Sequence, residues 1–162
     1  MPMPQFASIH RSAGQWPKDR AAGALTLNFE ARHRRRIRLT LDDGELVLLD
    51  LPKAVAMSDG DGLQLQDGRW VRVQAAKESL IEIRHSDPAQ LVRLAWHLGN
   101  RHLPTDICGQ LLRIRSDHVI EAMLRRMGAD LRTVIEPFQP EGGAYAGHGD
   151  SHHGDDINHH HD

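Results

Sequence analysis

The apolar positions of this chain follow two different periods. Between residue 25 and about residue 75 they alternate with polar positions, the two-residue repeat of half-buried strands. Leu25-Thr26-Leu27-Asn28-Phe29, Ile37-Arg38-Leu39-Thr40-Leu41 and Glu45 to Leu51 each read as a strand. Asp42-Asp43-Gly44 turns the second into the third, and Gly60-Asp61-Gly62 is a further turn. Leu63-Gln64-Leu65-Gln66, Asp67-Gly68 and Trp70-Val71-Arg72-Val73 make another hairpin. Residues 1–75 are therefore expected to form a small all-β domain, a sandwich or open barrel. Within it, residues 1–20 carry four prolines or glycines and little periodicity, and predict a loosely held arm free to join a sheet. Arg34-Arg35-Arg36 is a basic run at a strand entry and reads as a solvated edge, since charged edges block unwanted strand pairing.

The period changes near residue 76. Leu80-Ile81-Glu82-Ile83 predicts a strand. Leu91, Leu94, Ala95 and Leu98 then recur at the spacing of one helical face, which predicts a helix over 88–98. Asp87-Pro88 supplies its start, and Gly99-Asn100 are the residue types that most easily end it in the left-handed conformation. A short stretch at Thr105–Cys108 leads to a strand, Leu111-Leu112-Arg113-Ile114-Arg115. Ser116 is expected to cap a second helix with Val119, Ile120, Met123, Leu124 and Met127 on its apolar face, ended by Gly128. Leu131 to Phe138 predicts a last strand. The order βαββαβ over residues 76–145 is that of a ferredoxin-like domain, two helices on one antiparallel sheet. The fold class is thus α+β: an all-β N-terminal domain, a ferredoxin-like domain, and a tail over 146–162. That tail is Gly, His, Asp and Ser, too poor in apolar residues to order itself, and is expected to be disordered.

Composition narrows the function. A net charge of −2 gives no basis for a nucleic-acid partner. The single Cys108 cannot form an internal disulfide. No apolar run is long enough for a secretory signal or a membrane span, so the reading is soluble and cytoplasmic, with no membrane partner. HExxH, GxSxG, Walker A and GxGxxG motifs are all missing from the sequence, which speaks against an enzyme.

Histidine is what stands out. Six of the twelve lie in the last fifteen residues: His148, His152, His153, His159, His160 and His161. Imidazole suits nickel, copper and zinc. Asp150, Asp155, Asp156 and Asp162 interleave and can add oxygen ligands. In the ordered part, His102 lies just past a helix end. His97 is five residues earlier, and at about 100° per residue the two would point roughly 140° apart on a continuous helix. One His102 holds a metal weakly; two from symmetry-related subunits hold it well. His97, beside the apolar stripe, reads as packed or hydrogen-bonded. His118, in the first turn of the second helix, is open to ligation or to plain solvent exposure. His10, His33 and His85 read as structural.

The run His97-Leu98-Gly99-Asn100-Arg101-His102, then Asp117-His118-Val119, then Glu141-Gly142-Gly143-Ala144-Tyr145, then the histidine-rich end, resembles the UreE family of urease accessory nickel metallochaperones. The resemblance covers most of residues 34–162. It implies a β-rich N-terminal domain, a ferredoxin-like metal-binding domain and a homodimer formed through the latter. It also implies nickel bound across the dimer interface by the histidine matching His102, a further family histidine matching His118, and additional metal on the tail histidines. His97 matches a histidine of some relatives. Ser116 stands where some relatives carry another, so a second site on that helix is not carried over. The cargo is expected to be Ni2+, with Zn2+ or Cu2+ able to bind as well. The expected recipients are urease's GTP-hydrolysing accessory protein and the urease apoprotein-accessory complex. Two other readings compete: a general divalent-metal buffer acting through the tail, and a partner-binding adaptor working through the β domain.

Overall fold

The computed structural model describes residues 3–142 of the 162. Its first half is a six-stranded sheet of β1 (Gln5–Arg11), β2 (Ala21–Leu27), β3 (Arg36–Thr40), β4 (Leu46–Asp50), β5 (Gly62–Leu65) and β6 (Trp70–Ala75), ordered β2-β6-β5-β1-β4-β3. The alternation read from the sequence does its work here. Leu39 and Leu41, Val47, Leu49 and Leu51, Leu63 and Leu65, and Val71 and Val73 all point to one side and make a single core with Leu25 and Leu27. The sheet curls, so that its edges β2 and β3 approach: the Asp42 N–H donates to the Ala24 carbonyl at 2.8 Å. An open barrel describes this half.

The N-terminal stretch departs from expectation. It is not a loose arm. β1 is an inner strand, parallel to β4 on one side and antiparallel to β5 on the other. Local composition predicted a loop because only Ala7 of this strand is buried; the strand is specified by its two distant neighbours. The arginine run enters β3 as expected, at the sheet edge and exposed, with Arg36 paired to Asp50 at 2.8 Å.

The second half is β7 (Lys77–Arg84), α1 (Pro88–Asn100), β8 (Asp106–Cys108), β9 (Leu111–Arg115), α2 (His118–Arg126) and β10 (Asp130–Pro137). Its sheet, ordered β10-β7-β9-β8, is antiparallel throughout, which is the ferredoxin-like arrangement. Ile81, Ile83, Leu112 and Ile114 meet Leu94, Leu98, Ile120 and Leu124 of the helices in one core. Glu82, between the two isoleucines, points to the other face. It is 3% exposed there, because Arg84, Arg113 and Arg132 close over it at 2.8, 3.4 and 3.1 Å. Burial pushes the Glu82 carboxyl up, but the arginines outweigh it and hold it below the usual range.

Helix starts follow simple chemistry. Asp87 accepts from the Ala89 N–H at 3.0 Å, with Pro88 at the first helical position. The second helix is capped by Asp117, not Ser116: the Asp117 carboxylate accepts from the N–H groups of Val119 and Ile120 at 3.0 and 3.1 Å. Ser116 sits one residue too early and donates instead to Glu121 at 3.3 Å.

The halves meet through Phe29 and Arg32. Phe29 packs edge-on against buried Phe138 at 5.2 Å, and Arg115 lies over its other side, 4.6 Å from the ring centre. Arg32 is 2% exposed and donates to the carbonyls of Met57 and Phe138.

Candidate metal centre

The end of α1 builds the most unusual backbone in the chain. The helix runs through Gly99 and Asn100, and Arg101 caps it with φ −92° and ψ 6°. The His102 N–H then donates to the Gly99 carbonyl at 3.0 Å and the Leu103 N–H to the Leu98 carbonyl at 3.2 Å. This pair of bonds is a Schellman motif, which needs a left-handed residue at the penultimate place. His102 is that residue, with φ 56°. Gly99-Asn100 was expected to supply it and does not. Leu103 has to return to the core beside Leu98, and that contact, not the glycine, sets where the helix closes.

Among the described residues His102 is the sole non-glycine with positive φ. A side chain there costs an ordinary residue about 1–2 kcal/mol. The cap holds the imidazole in solvent at the rim of the helix end: His102 is exposed. Backbone strain of this kind accumulates where geometry serves function.

The other sequence candidates fall into place around it. His118 is the first residue of α2 and is exposed. His97 is half-buried on α1, its ring meeting Trp96 edge to face at 5.0 Å. His10, His33 and His85 each make a hydrogen bond: His10 Nε2 with the Asp61 carboxylate at 2.7 Å, His33 Nδ1 with the Phe29 carbonyl at 2.7 Å, and His85 Nδ1 with the Asp87 N–H at 2.9 Å. His148, His152, His153, His159, His160 and His161 lie outside the described residues. Among the described residues no three His, Cys, Asp or Glu groups converge on a common point. Each protomer's described part thus offers separate imidazoles rather than an assembled cage.

Sequence reasoning missed the surroundings of His102. Past α1 the chain continues through Thr105, whose carbonyl accepts from the Glu141 N–H at 2.9 Å, and Asp106, whose carboxylate accepts from the Gln139 N–H at 3.1 Å. Nothing in the local pattern signals these bonds, since they join segments more than thirty positions apart. It also missed that α1 turns Val92 and Trp96 outward, 69% and 63% exposed, although their spacing by four would have put them on one face.

A curled β unit followed by a ferredoxin-like unit, with imidazoles presented at helix ends, defines an accessory protein rather than an enzyme. The chain belongs to the UreE urease accessory protein family: the N-terminal domain model of that family matches residues 6–76 and the C-terminal domain model residues 78–162. It is 57% identical over 129 residues to the urease accessory protein UreE of Bradyrhizobium sp. (strain ORS 278), covering 80% of this chain and 61% of that protein. The protein of the same name from Beijerinckia indica subsp. indica is 50% identical, covering 86% of this chain and 80% of its own length. That from Chelativorans sp. (strain BNC1) is 48% identical over 147 residues, covering 89% and 93%. The chain spans about three-fifths of the length of the Bradyrhizobium relatives. Membership implies a part in urease maturation. No helix among the described residues is long and apolar enough to cross a membrane.

Proposed function

We propose that this chain is a cytoplasmic nickel metallochaperone that carries Ni2+ as cargo on a homodimer and delivers it for urease active-site assembly. The observation that carries the reading is the strained, exposed cap at His102. A lone imidazole is a weak ligand, so two copies pair isologously and each contributes its His102 to one ion near the two-fold axis. The outward-facing Val92 and Trp96 support this pairing, since the same helix that ends at His102 carries apolar surface for a second copy to cover.

The division of labour follows. Residues 76–145 bind metal and dimerise. Residues 146–162 bring further imidazoles, from His148, His152, His153, His159, His160 and His161, to complete the sphere or hold additional ions. His118 offers a separate exposed ligand. Residues 1–75 face the partners, the urease GTPase accessory protein and the urease apoprotein-accessory complex. Ligands that arrive one at a time also leave one at a time, which suits transfer. Zn2+ and Cu2+ compete for the same nitrogen donors. Protons compete too, so uptake falls as pH drops through the ordinary imidazole range near about 6.5.

Calorimetry tests the reading with a chain cut after Ala146. One Ni2+ per dimer remains in that chain, and His102→Ala removes it. A tail-less chain that takes up no nickel would leave the buffer reading standing instead. Urease activation that survives His102→Ala and disappears on damage to the β unit would favour the adaptor.

A further inference from the structure

The path of the chain after β10 has no explanation in the sheet. Pairing ends at Pro137 opposite Lys77, yet the next four residues are anchored one after another. Arg32 donates to the Phe138 carbonyl, and Phe138 itself is fully buried. The Gln139 N–H donates to the Asp106 carboxylate at 3.1 Å, and its side-chain oxygen accepts from the Asp59 N–H at 2.8 Å. The Glu141 N–H donates to the Thr105 carbonyl at 2.9 Å. β10 and β8 are opposite edges of the second sheet, three strand spacings apart. At about 4.8 Å per spacing this is roughly 14 Å, close to the full stretch of four residues. The segment is therefore pulled across the whole sheet end, to the edge where α1 hands over to β8.

We propose that Asp106 and the Thr105 carbonyl are positioning groups for the metal site: they root the C-terminal segment beside His102. The proposal rests on the nickel-carrier reading above. Thr105 is three residues from His102, at most about 11 Å of chain. His148, the first tail histidine, is seven positions past Glu141, within about 25 Å of chain. A root fixed at this edge raises the effective concentration of the tail imidazoles at His102; a root left at β10 starts them from the far side of the sheet. Ala or Ser at position 106 would still fold a strand. What the carboxylate adds is a hydrogen-bond acceptor aimed at Gln139, outside the sheet ladder.

The test is a two-by-two comparison in the full chain, reading the Kd of the His102-dependent Ni2+ site by calorimetry. One axis is Asp106→Ala. The other replaces His148, His152, His153, His159, His160 and His161 by Ser. The expected result is an about three- to tenfold weaker Kd for Asp106→Ala with the tail histidines present, and no change without them. Asp106→Asn, which keeps an acceptor oxygen, recovers most of the affinity, and Gln139→Pro, which deletes the donor, reproduces the loss. Equal weakening in both backgrounds, or none with the tail intact, overturns the proposal while leaving the carrier reading in place. Nickel binding that ignores His102→Ala overturns both.

Discussion

His102 stands at the end of α1 where Gly128 stands at the end of α2. Both are the left-handed residue of a Schellman closure, with φ 56° and 82°. The bonds match as well: Gly128 N–H to the Arg125 carbonyl at 3.0 Å and Ala129 N–H to the Leu124 carbonyl at 3.1 Å. One helix uses the residue that suits the place; the other uses an imidazole.

Stability and binding should therefore separate at position 102. His102→Gly relieves the crowding of Cβ and is expected to raise folding stability by about 0.5–1 kcal/mol. His102→Ala keeps the crowding and gains nothing. Both lose the shared nickel site. Urea unfolding beside Ni2+ titration reads the two effects. The mirror experiment is Gly128→Ala, whose Cβ would sit 3.3 Å from His85 Nε2 in the same backbone region; it is expected to cost about 1–2 kcal/mol.

Gly62→Ala is expected to be worse. A Cβ there would lie 2.7 Å from Trp16 Cε2, inside the face of an indole that is itself held by a hydrogen bond to the Gly60 carbonyl at 3.0 Å. Trp16 also stacks on Trp70 at 5.8 Å, so it cannot step aside freely. A loss of about 2–3 kcal/mol follows from overpacking of this kind, measurable as a lower urea midpoint. A midpoint equal to the parent's would show that the ring has room after all.

Asp61 gives a pH signature. It is 4% exposed and accepts from the N–H groups of Ser58 and Ala13 at 2.9 and 3.0 Å, besides its contact with His10. Burial pushes its carboxyl up, but the His10 contact and the two backbone donors outweigh this and hold it below the usual range. A depressed carboxylate adds stability above its unfolded pKa and loses it as pH falls through the folded value. Asp61→Asn should thus cost about 1–3 kcal/mol at pH 7, with the gap to the parent narrowing below about pH 4. Unfolding series at neutral and acid pH check this; a gap that stays constant would place the stabilisation elsewhere.

Arg32 separates charge from volume. Its Nε has no hydrogen-bond partner, and the guanidinium faces carbonyls rather than a carboxylate. Arg32→Ala leaves two carbonyls unpaired and a void between the halves, an expected loss of about 2–4 kcal/mol. Arg32→Met fills the void and removes a buried charge, and should cost clearly less than Ala. Thermal unfolding of the two variants decides the order.

Much of the architecture could be read from local pattern, because local physics specifies it. Alternation placed Leu39, Val47, Leu63 and Val71 in one core, and Asp87-Pro88 announced α1. What escaped was decided at a distance. β1 was misread because its pairing with β4 and β5 leaves no apolar period of its own. Glu82 looked like one position of an apolar run, yet it belongs to the opposite face under three arginines from separate strand positions. His102 was legible as a chemical candidate, whereas its left-handed backbone depended on Leu103 finding Leu98. The clamp at Thr105 and Asp106 joins segments whose separation in sequence hides their proximity.

The inner place of β1 also bears on how the molecule comes into being. Its seven residues are the first strand to leave the ribosome, but its neighbours are β4 and β5, which emerge only some forty to sixty residues later. A growing chain must keep this strand waiting, and contacts so distant in sequence make for slow closure. Shaving the leading dozen residues would split the barrel down its middle instead of trimming a fringe, with β5, β6 and β2 left on one side and β4 and β3 on the other.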